Sequence, residues 1–555
     1  MKELRVKLDT ALFNAGVLGF KKILDAGNIN YRTDGDELTV DAQSLLEADL
    51  AELYIDAAIE KFGKTTRIYK SIEAAGGLLG YNVAEGLSEL PEKAKEEADE
   101  TVKREKEFWG GCKNFCESFL QASIKTGLRT LEKQNVHTDI AANAEALKKE
   151  KNIDVAKELI QKILRDFEKP KVAQTLYMKA IIYTKINMIW SGVAFLNVNR
   201  SDVPAKIALE ESFVEPLYEM ARSASDGKKT CACCNVKYNK MGTLSFLNDI
   251  GIDSNRKKSA FWNMQFDLAT CPLCIFVYAC APLGFKQLGQ DLIFINQNKS
   301  IEDMDSGNAK LESDENINGN YRYKLINDLV LSEIEIKESE ISNLEVLIRH
   351  SGDKGYYSLD VIDKRTIKIF KRCKEELKAI KYSKAKIGEE YVDIAWATIG
   401  CLFSKQALWG LILKLLKAEY NGYPLWRLLM IQVKRKEINK MDEENYIKKL
   451  RWIYYEGKKI NQEYNKDDSK NENKLRGTLL KMQNAIRLED RHTFFDILLR
   501  LYNGMNRSVP DIFLDAMSND EILKEIGIAF ILGATGTPND KEDKNVAGES
   551  ESAAE

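Results

Sequence analysis

The cysteines near the middle of the chain are the residues whose spacing most clearly indicates chemistry. They form two CxxC pairs, Cys231/Cys234 and Cys271/Cys274. Two thiolates separated by two residues can reach one ion from a single turn, and two such turns complete the tetrahedron that zinc prefers. The sequence therefore predicts one zinc ion held by Cys231, Cys234, Cys271 and Cys274.

The predicted zinc is structural rather than catalytic, because four protein ligands leave no coordination position for water. The segment between the pairs is longer than in a simple zinc ribbon, so we expect the metal to clamp a small subdomain. Cys233 is an alternative ligand, and ordinary core cysteines are the alternative to a metal site. Cys280 is interpreted as a small buried apolar residue. The intervening subdomain contains Phe246, Phe261, Trp262 and Phe266.

The rest of the sequence offers no recognisable catalytic pattern. Its three histidines, His137, His350 and His492, are interpreted as surface or capping residues. There is no Walker A loop, no G-x-S-x-G elbow and no H-E-x-x-H helix, and the cysteine pairs lack the His-x-Glu of a zinc deaminase. The glycine-rich run Gly76–Gly80 lacks the Lys of a phosphate loop and is interpreted as a flexible turn. We therefore predict a protein that is not an enzyme.

A basic segment, Lys364–Lys386, is the candidate for contact with nucleic acid. Its ten basic and two acidic residues give a local charge of +8, whereas the whole chain has a net charge of only -3. Apolar residues recur in it at three- and four-residue spacing, which predicts one amphipathic helix with a positive outer surface. A merely solvated helix face is the alternative. The candidate phosphate contacts are Lys364, Arg365, Lys368, Lys371, Arg372, Lys374, Lys378, Lys381 and Lys384.

A second stretch, Tyr446–Lys459, interleaves aromatic and basic residues. Such a mixture can stack bases and neutralise phosphates. At helical spacing, however, it is more typical of a helix that buries its aromatic side chains, and we adopt that interpretation.

Length and composition indicate a large globular protein built mostly from helices. The 555 residues are 44% apolar and 30% charged, which excludes general disorder, and only nine are proline, which favours long helices. We expect a mainly α fold with small β-hairpin or sheet elements (α+β). The predicted parts are an N-terminal α+β subdomain (1–107), a helical region (108–221), the zinc-binding insert (222–290), a β-containing region with an acidic loop (291–363), a C-terminal helical bundle (364–535) and a disordered acidic tail (536–555).

Local patterns place several strands within these parts. We predict a hairpin from Ile29–Arg32 and Glu37–Val40, a strand at Asp291–Ile295, and a second hairpin from Leu344–His350 and Tyr356–Ile362. The polar, acidic run Ser300–Asn320 is predicted to be a loop.

No segment predicts secretion or membrane insertion. The short apolar run Ala11–Phe20 has no cleavage site after it. The longest uncharged stretch, Leu268–Phe285, contains two prolines and a CxxC pair, which favour a folded knuckle and a buried helix. Ten cysteines are too few for a disulfide scaffold of this length. We therefore expect a cytoplasmic protein with no transmembrane segment.

The paired CxxC motifs, the early Asn14–Gly19 run and the helical C-terminus together resemble the CXXC-CXXC family of CRISPR-associated proteins. Members of this family are large subunits of type I-B CRISPR surveillance (Cascade) complexes. The C-terminal segments that support the resemblance are Lys474–Leu488, Phe494–Tyr502, Val509–Pro510 and Ile526–Gly533.

The resemblance implies a non-catalytic subunit of an RNA-guided antiviral complex. Its partners would be a crRNA-containing assembly with backbone and small subunits, double-stranded target DNA whose flanking motif it reads, and a helicase-nuclease that cleaves the target. It further implies a C-terminal bundle that looks like a fused small subunit, which can be made separately from Met430 or Met441. The alternative is a zinc-stabilised helical scaffold that binds only proteins. A zinc hydrolase would require a metal accessible to water.

Overall fold

The computed structural model describes residues 3–80, 93–193, 203–223, 227–249, 261–262, 265–266, 269–297, 300–311, 344–351, 355–420, 423–436, 440–464 and 469–535. The fold is mainly α with small antiparallel sheets, as the sequence predicts. The chain divides into two compact units. The first consists of Met1–Ile317 and Leu344–Val361, and the second of Asn318–Asn343 and Ile362–Glu555. The predicted disordered tail, 536–555, lies outside the described residues.

The first unit opens with a three-stranded sheet around one helix. Its elements are β1 (Glu3–Lys7), α1 (Ala11–Ala26), β2 (Tyr31–Asp34) and β3 (Glu37–Asp41), with β3 between its two antiparallel neighbours. The predicted β2–β3 hairpin is confirmed. Its turn contains Gly35 at φ +60°, a conformation that glycine adopts without strain.

The next helices are α2 (Ala42–Glu47), α3 (Leu50–Phe62) and α4 (Arg67–Leu79). The glycine-rich run interpreted as a flexible turn lies instead in the last turns and the C-cap of α4. The run is helical because it continues the amphipathic helix that precedes it. Ile68 and Ala75 of this helix are buried, whereas an added Cβ on Gly76 or Gly77 would have nothing within 4 Å.

A helical array follows. Its helices up to residue 181 enclose an apolar core in which the Phe119 ring contacts the rings of Phe115 and Phe167, whereas its later helices pack into the core that contains the cysteines. Two short π-helical turns, Ile182–Ile186 and Glu210–Val214, interrupt the array. Its helices are α5 (Lys93–Phe119), α6 (Ala122–Lys133), α7 (Ile140–Leu147), α8 (Ile153–Phe167), α9 (Pro170–Ile181), α10 (Asn187–Ile189), α11 (Ala205–Leu209) and α12 (Glu215–Arg222).

The cysteine segment and a four-stranded sheet complete the first unit. The sheet has the order β11-β10-β9-β8, and its strands confirm the predicted strand and the second predicted hairpin. The elements are β4 (Lys229–Thr230), β5 (Lys237–Tyr238), β6 (Phe261–Trp262), β7 (Gln265–Phe266), α13 (Pro272–Ala279), α14 (Ala281–Gly284), β8 (Lys286–Leu288), β9 (Asp291–Asn296), α15 (Ile301–Lys310), β10 (Leu344–Arg349) and β11 (Tyr357–Ile362).

The acidic loop predicted at Ser300–Asn320 is wrong for residues 301–310, which form helix α15. Ser300 caps this helix, since its hydroxyl oxygen accepts a hydrogen bond from the Asp303 N–H at 3.0 Å. Ile301 and Met304 are buried, and the buried Asn308 side chain bonds to the backbone of β9. The remainder, residues 312–320, lies outside the described residues.

The described residues of the second unit form a helical bundle interrupted by one hairpin. The helices Lys440–Tyr464 and Asp520–Ala534 pack so closely that they need glycine where they touch. A Cβ on Gly457 would lie 2.2 Å from the Phe530 carbonyl oxygen, and one on Gly533 would lie 1.9 Å from that of Tyr454. A 3-10 helix, Asp511–Met517, precedes the last helix. The elements are α16 (Lys364–Arg372), α17 (Lys374–Ala379), β12 (Lys384–Ile387), β13 (Glu390–Asp393), α18 (Ile394–Phe403), α19 (Trp409–Lys417), α20 (Tyr423–Lys434), α21 (Lys440–Tyr464), α22 (Ser469–Arg487), α23 (Arg491–Asn503) and α24 (Asp520–Ala534).

The prediction of one continuous helix over Lys364–Lys386 is wrong. The helical conformation breaks at Cys373, resumes as α17, and gives way to the β12–β13 hairpin. Residues 384–387 alternate in side-chain type and bury Ala385, which suits a strand, and Gly388 at φ +66° makes the turn.

No helix in the described part of the chain is both long and apolar enough to cross a membrane.

Candidate metal centre

The first CxxC pair lies in the loop of the β4–β5 hairpin. This hairpin pairs Thr230 with Lys237, and the Cys231 N–H donates to the Val236 carbonyl oxygen at 2.9 Å. Asn235 adopts φ 58°, the left-handed conformation that asparagine tolerates well. The loop therefore turns tightly enough to bring Cys231 and Cys234 to one point.

The second CxxC pair lies at the start of α13. Cys271 is the N-cap residue in an extended conformation, and Pro272 occupies the first helical turn, where its missing N–H costs no hydrogen bond. Cys274 follows in the same turn. The partial positive charge of a helix N-terminus stabilises thiolates, so this position favours metal-binding sulfur.

Backbone hydrogen bonds join the two turns. The Ala232 N–H donates to the Ala269 carbonyl oxygen at 2.9 Å, and the Cys271 N–H donates to the Cys231 sulfur at 3.2 Å. Gly242 and Thr270 form an isolated antiparallel bridge beside them. The hairpin and the helix are thus fixed to each other by main-chain N–H donors, one of which bonds to the Cys231 sulfur.

The sulfurs of all four predicted ligands come together. The Sγ atoms of Cys231, Cys234, Cys271 and Cys274 lie within 4.8 Å of one another, and those of Cys234 and Cys271 are 3.6 Å apart. Tetrahedral coordination with metal–sulfur bonds of about 2.3 Å separates sulfurs by about 3.8 Å. Four cysteines so placed can hold a metal ion.

The cage is enclosed by the core of the first unit. Cys231, Cys271 and Cys274 are buried, whereas Cys234 is half-buried. Cys233 lies in the same loop, between the two ligands of the first pair, and is half-buried. Cys280 is buried outside the four-sulfur group, as expected for an apolar residue.

When no cation is bound, interactions among the neighbouring cysteine thiols lower the pKa of one and raise the pKa of another. Hydrogen bonds from the neighbouring thiols, with Cys233 first, lower the pKa of Cys231. Hydrogen bonding to Cys231 raises the pKa of Cys274, and burial raises it further. A cation in the cage would favour the thiolate form at every position.

Helix α1 packs closely against α13, the helix that begins at the second CxxC pair, because two glycines of α1 lie at the contact. A Cβ on Gly16 would lie 2.3 Å from the Val277 carbonyl oxygen, and one on Gly19 would lie 2.0 Å from that of Cys280. These glycines belong to the Asn14–Gly19 run that the sequence singles out. Its Asn14 is fully buried and donates from Nδ2 to Asn296 Oδ1 at 2.9 Å. The run therefore positions α13 and β9, a partnership that sequence alone does not reveal.

The histidines lie away from the cage. His137 and His492 are exposed, whereas His350, which directly follows β10, is half-buried. Its Nδ1 is 3.0 Å from Asp291 Oδ2 and its Nε2 is 2.8 Å from Ser358 Oγ. Asp291 also accepts a hydrogen bond from the Ser351 N–H at 2.9 Å. We interpret this serine–histidine–aspartate chain as an anchor for the turn between β10 and β11.

The predicted phosphate contacts do not share one helix face. Arg372 forms a half-buried ion pair with Glu443, which assigns it a packing role. Helix α16 carries the first five residues, α17 carries Lys374 and Lys378, and the turn after it carries Lys381, while Lys384 is on β12. In the Tyr446–Lys459 stretch, the aromatic residues that the helix pattern predicts to be core, Trp452 and Tyr455, are only half-buried. Tyr454 between them is buried, with its ring 5.2 Å from that of Trp426.

The cysteine segment matches a known protein family. Residues 224–286 match the model of a family described as CRISPR-associated protein (Cas_CXXC_CXXC). The match includes both CxxC pairs and helices α13 and α14, and it supports a role in CRISPR systems. No curated protein and no solved structure matches the chain.

Proposed function

We propose that this chain is the non-catalytic large subunit of a type I-B CRISPR surveillance complex. The observation that carries the proposal is the four-sulfur cage, which lies within the segment that matches the CRISPR-associated family. In such a complex the guide RNA selects the target by base pairing, while the protein senses a short flanking motif and holds the strands by their phosphates. The chain would bind a crRNA-containing assembly of backbone and small subunits, double-stranded target DNA and a helicase-nuclease.

The metal in this proposal is a structural zinc. When bound, it neutralises the thiolates of Cys231, Cys234, Cys271 and Cys274 and so links the β4–β5 hairpin to helix α13. The cysteines contribute all four ligands, and α1 supports the helix from the other side through Gly16 and Gly19. This arrangement stabilises the first unit and leaves chemistry on the target to a partner.

The second unit offers the candidate nucleic-acid surface. On the β12–β13 hairpin Lys386 is directly opposite Tyr391, whose side chain is 74% exposed. In the preceding turn Tyr382 is 83% exposed, with Lys381 Nζ 5.1 Å from its ring centre. Exposed aromatic rings beside lysines suit base stacking combined with phosphate neutralisation. The candidate nucleic-acid surface therefore includes the β12–β13 hairpin as well as the helices of the basic segment.

We expect the triple substitution of Lys378, Lys381 and Lys384 by Gln to weaken DNA binding by the assembled complex. Each lost phosphate contact reduces the slope of log affinity against log salt by up to roughly 0.9 on duplex DNA. Titrations at several salt concentrations measure this slope. Arg372 is left intact because its pairing with Glu443 would confound binding with stability.

The matched control replaces three exposed lysines elsewhere in the second unit, Lys414, Lys417 and Lys481, by Gln and changes net charge equally. It should leave the slope close to that of the unmodified complex. Equal slopes for both triple variants would reassign the segment as a solvated surface. A complex with little salt dependence at all would favour the alternative, a zinc-stabilised scaffold that binds only proteins.

A separate C-terminal product starting at Met441 is a further expectation of this proposal. Met441 is 73% exposed at the start of α21, whose first turn contains Asp442 and Glu443, whereas Met430 is buried within α20. A chain from Met441 keeps α21 and α24, which pack through Gly457 and Gly533. Intact mass spectrometry of the complex expressed from its native coding region should show a short chain that Met441→Leu removes. Only full-length chain in the unmodified complex would contradict this.

A further inference from the structure

The β12–β13 hairpin of the second unit turns one face to solvent. In its antiparallel register Lys384 pairs with Asp393 and Lys386 pairs with Tyr391, so these four side chains share that face. The alternate residue Ala385 points the other way and is buried. Both lysines are exposed, and so is 74% of Tyr391. An aromatic ring therefore projects from the hairpin beside two lysines.

No described residue forms an ion pair with Lys384 or Lys386. Among the paired residues, Asp393 is the acidic one on the same face, but its Oδ1 caps helix α18 by accepting a hydrogen bond from the Trp396 N–H at 2.9 Å. Glu390 pairs with Ile387, so its side chain belongs to the opposite face. The two ammonium groups on the outer face are thus available to an anionic partner.

A second exposed ring comes just before the hairpin. Tyr382 lies in the turn after α17, is more exposed than Tyr391, and has the Lys381 ammonium near its ring. Rings this exposed contribute little to folding, because hydrophobic stabilisation scales with the area removed from water. Two such rings, each beside a lysine, indicate a partner that combines flat aromatic surfaces with negative charge.

Unpaired nucleotides have both properties. Each base has a π face that stacks on an aromatic side chain, and a phosphate follows each base. In a duplex the bases stack on one another and present only their edges in the grooves, so an exposed ring finds no base face there. A protein partner is less suited, because interface hot spots are enclosed by other contacts, whereas the outer face of this hairpin has no aliphatic residue among its paired positions.

We propose that the β12–β13 hairpin binds unpaired DNA, with one base stacked on Tyr391 and the neighbouring phosphates held by Lys384 and Lys386. Tyr382 and Lys381 provide a second stacking position of the same kind. The choice of DNA rests on the proposed function, because pairing between a guide RNA and its target opens a DNA duplex. Stacking is tolerant of base identity, so the site selects unpaired over paired strands rather than one sequence.

Fluorescence anisotropy of the full-length chain with labelled strands tests the site. The probes are a thymidine strand of about 12 nucleotides, an abasic strand with the same number of phosphates, and a duplex of the same length. Tyr391→Leu should weaken binding of the thymidine strand about tenfold, as expected for one lost stacked base, and should leave the abasic strand and the duplex unchanged. Lys386→Gln should weaken binding of the thymidine and abasic strands by the same factor, since both present phosphates.

Tyr183→Leu is the matched control, because Tyr183 is an exposed tyrosine of the first unit, and it should alter none of these affinities. Unchanged thymidine binding in Tyr391→Leu, an equal loss for the abasic strand, or binding of no strand at all would overturn the site. Binding of a uridine strand but not of the thymidine strand would overturn the choice of DNA. Each of these results is separate from failure of the proposed function, which a native complex without guide RNA would show.

Discussion

Cys271→Ser is expected to release the metal and destabilise the first unit by at least about 3 kcal/mol, because metal binding and folding are coupled in such sites. The serine hydroxyl is a poor zinc ligand, and the three remaining sulfurs would stay crowded within a buried cage. The melting temperature should fall by roughly 10 °C. Thermal unfolding and metal analysis of the same preparation measure both effects.

Cys233→Ser is the matched control, since Cys233 is in the same loop but outside the four-sulfur group. It should retain about one zinc per chain and a melting temperature near that of the unmodified protein. Loss of zinc in Cys233→Ser with retention in Cys234→Ser would make Cys233 the ligand. Freshly prepared protein with almost no zinc would refute the metal assignment.

Gly19→Ala is expected to be strongly destabilising although it adds only one methyl group outside the cage. The added Cβ would lie 2.0 Å from the carbonyl oxygen of Cys280, so α1 must move away from the cysteine helix. Such overpacking against main chain costs about 3 kcal/mol or more. Chemical denaturation should show the loss, and the displaced helix should also lower the affinity for zinc.

Gly76→Ala provides the opposite result as a control. Gly76 is within α4, where nothing lies within 4 Å of an added Cβ. Alanine is the better helix former there, so this change should raise stability by about 0.5–1 kcal/mol. Equal effects of Gly19→Ala and Gly76→Ala would show that α1 does not approach α13 closely.

The cysteine spacing predicted the cage because the ability of a CxxC pair to bind a metal depends on local spacing and not on the surrounding fold. Each CxxC pair needs only one turn, which neighbouring residues determine. The supporting contacts could not be predicted in the same way. Gly19 contacts Cys280, and His350 contacts Asp291, although each pair is far apart in the sequence. The pattern of a single sequence does not show which distant segments pack together.

Two of the wrong predictions are the continuous basic helix and the acidic loop. In each segment a local signal for the correct structure was outweighed by a stronger pattern. In the basic segment, apolar spacing suited a helix as far as Ile380, and Gly388 marked the hairpin that follows. In the acidic run, Ser300 before Glu302 and Asp303 is typical of a helix start, but the high polarity favoured a loop. Burial of Ile301 and Met304 against the sheet decided the conformation.

The most direct test of the proposed function is purification of this chain, under native expression, with whatever it binds. The account predicts a short RNA of uniform length together with several protein subunits, at fixed stoichiometry and resistant to moderate salt. Sequencing of the RNA should show a constant end and variable guide segments. Recovery of protein partners with no such RNA would contradict the account and leave the scaffold alternative.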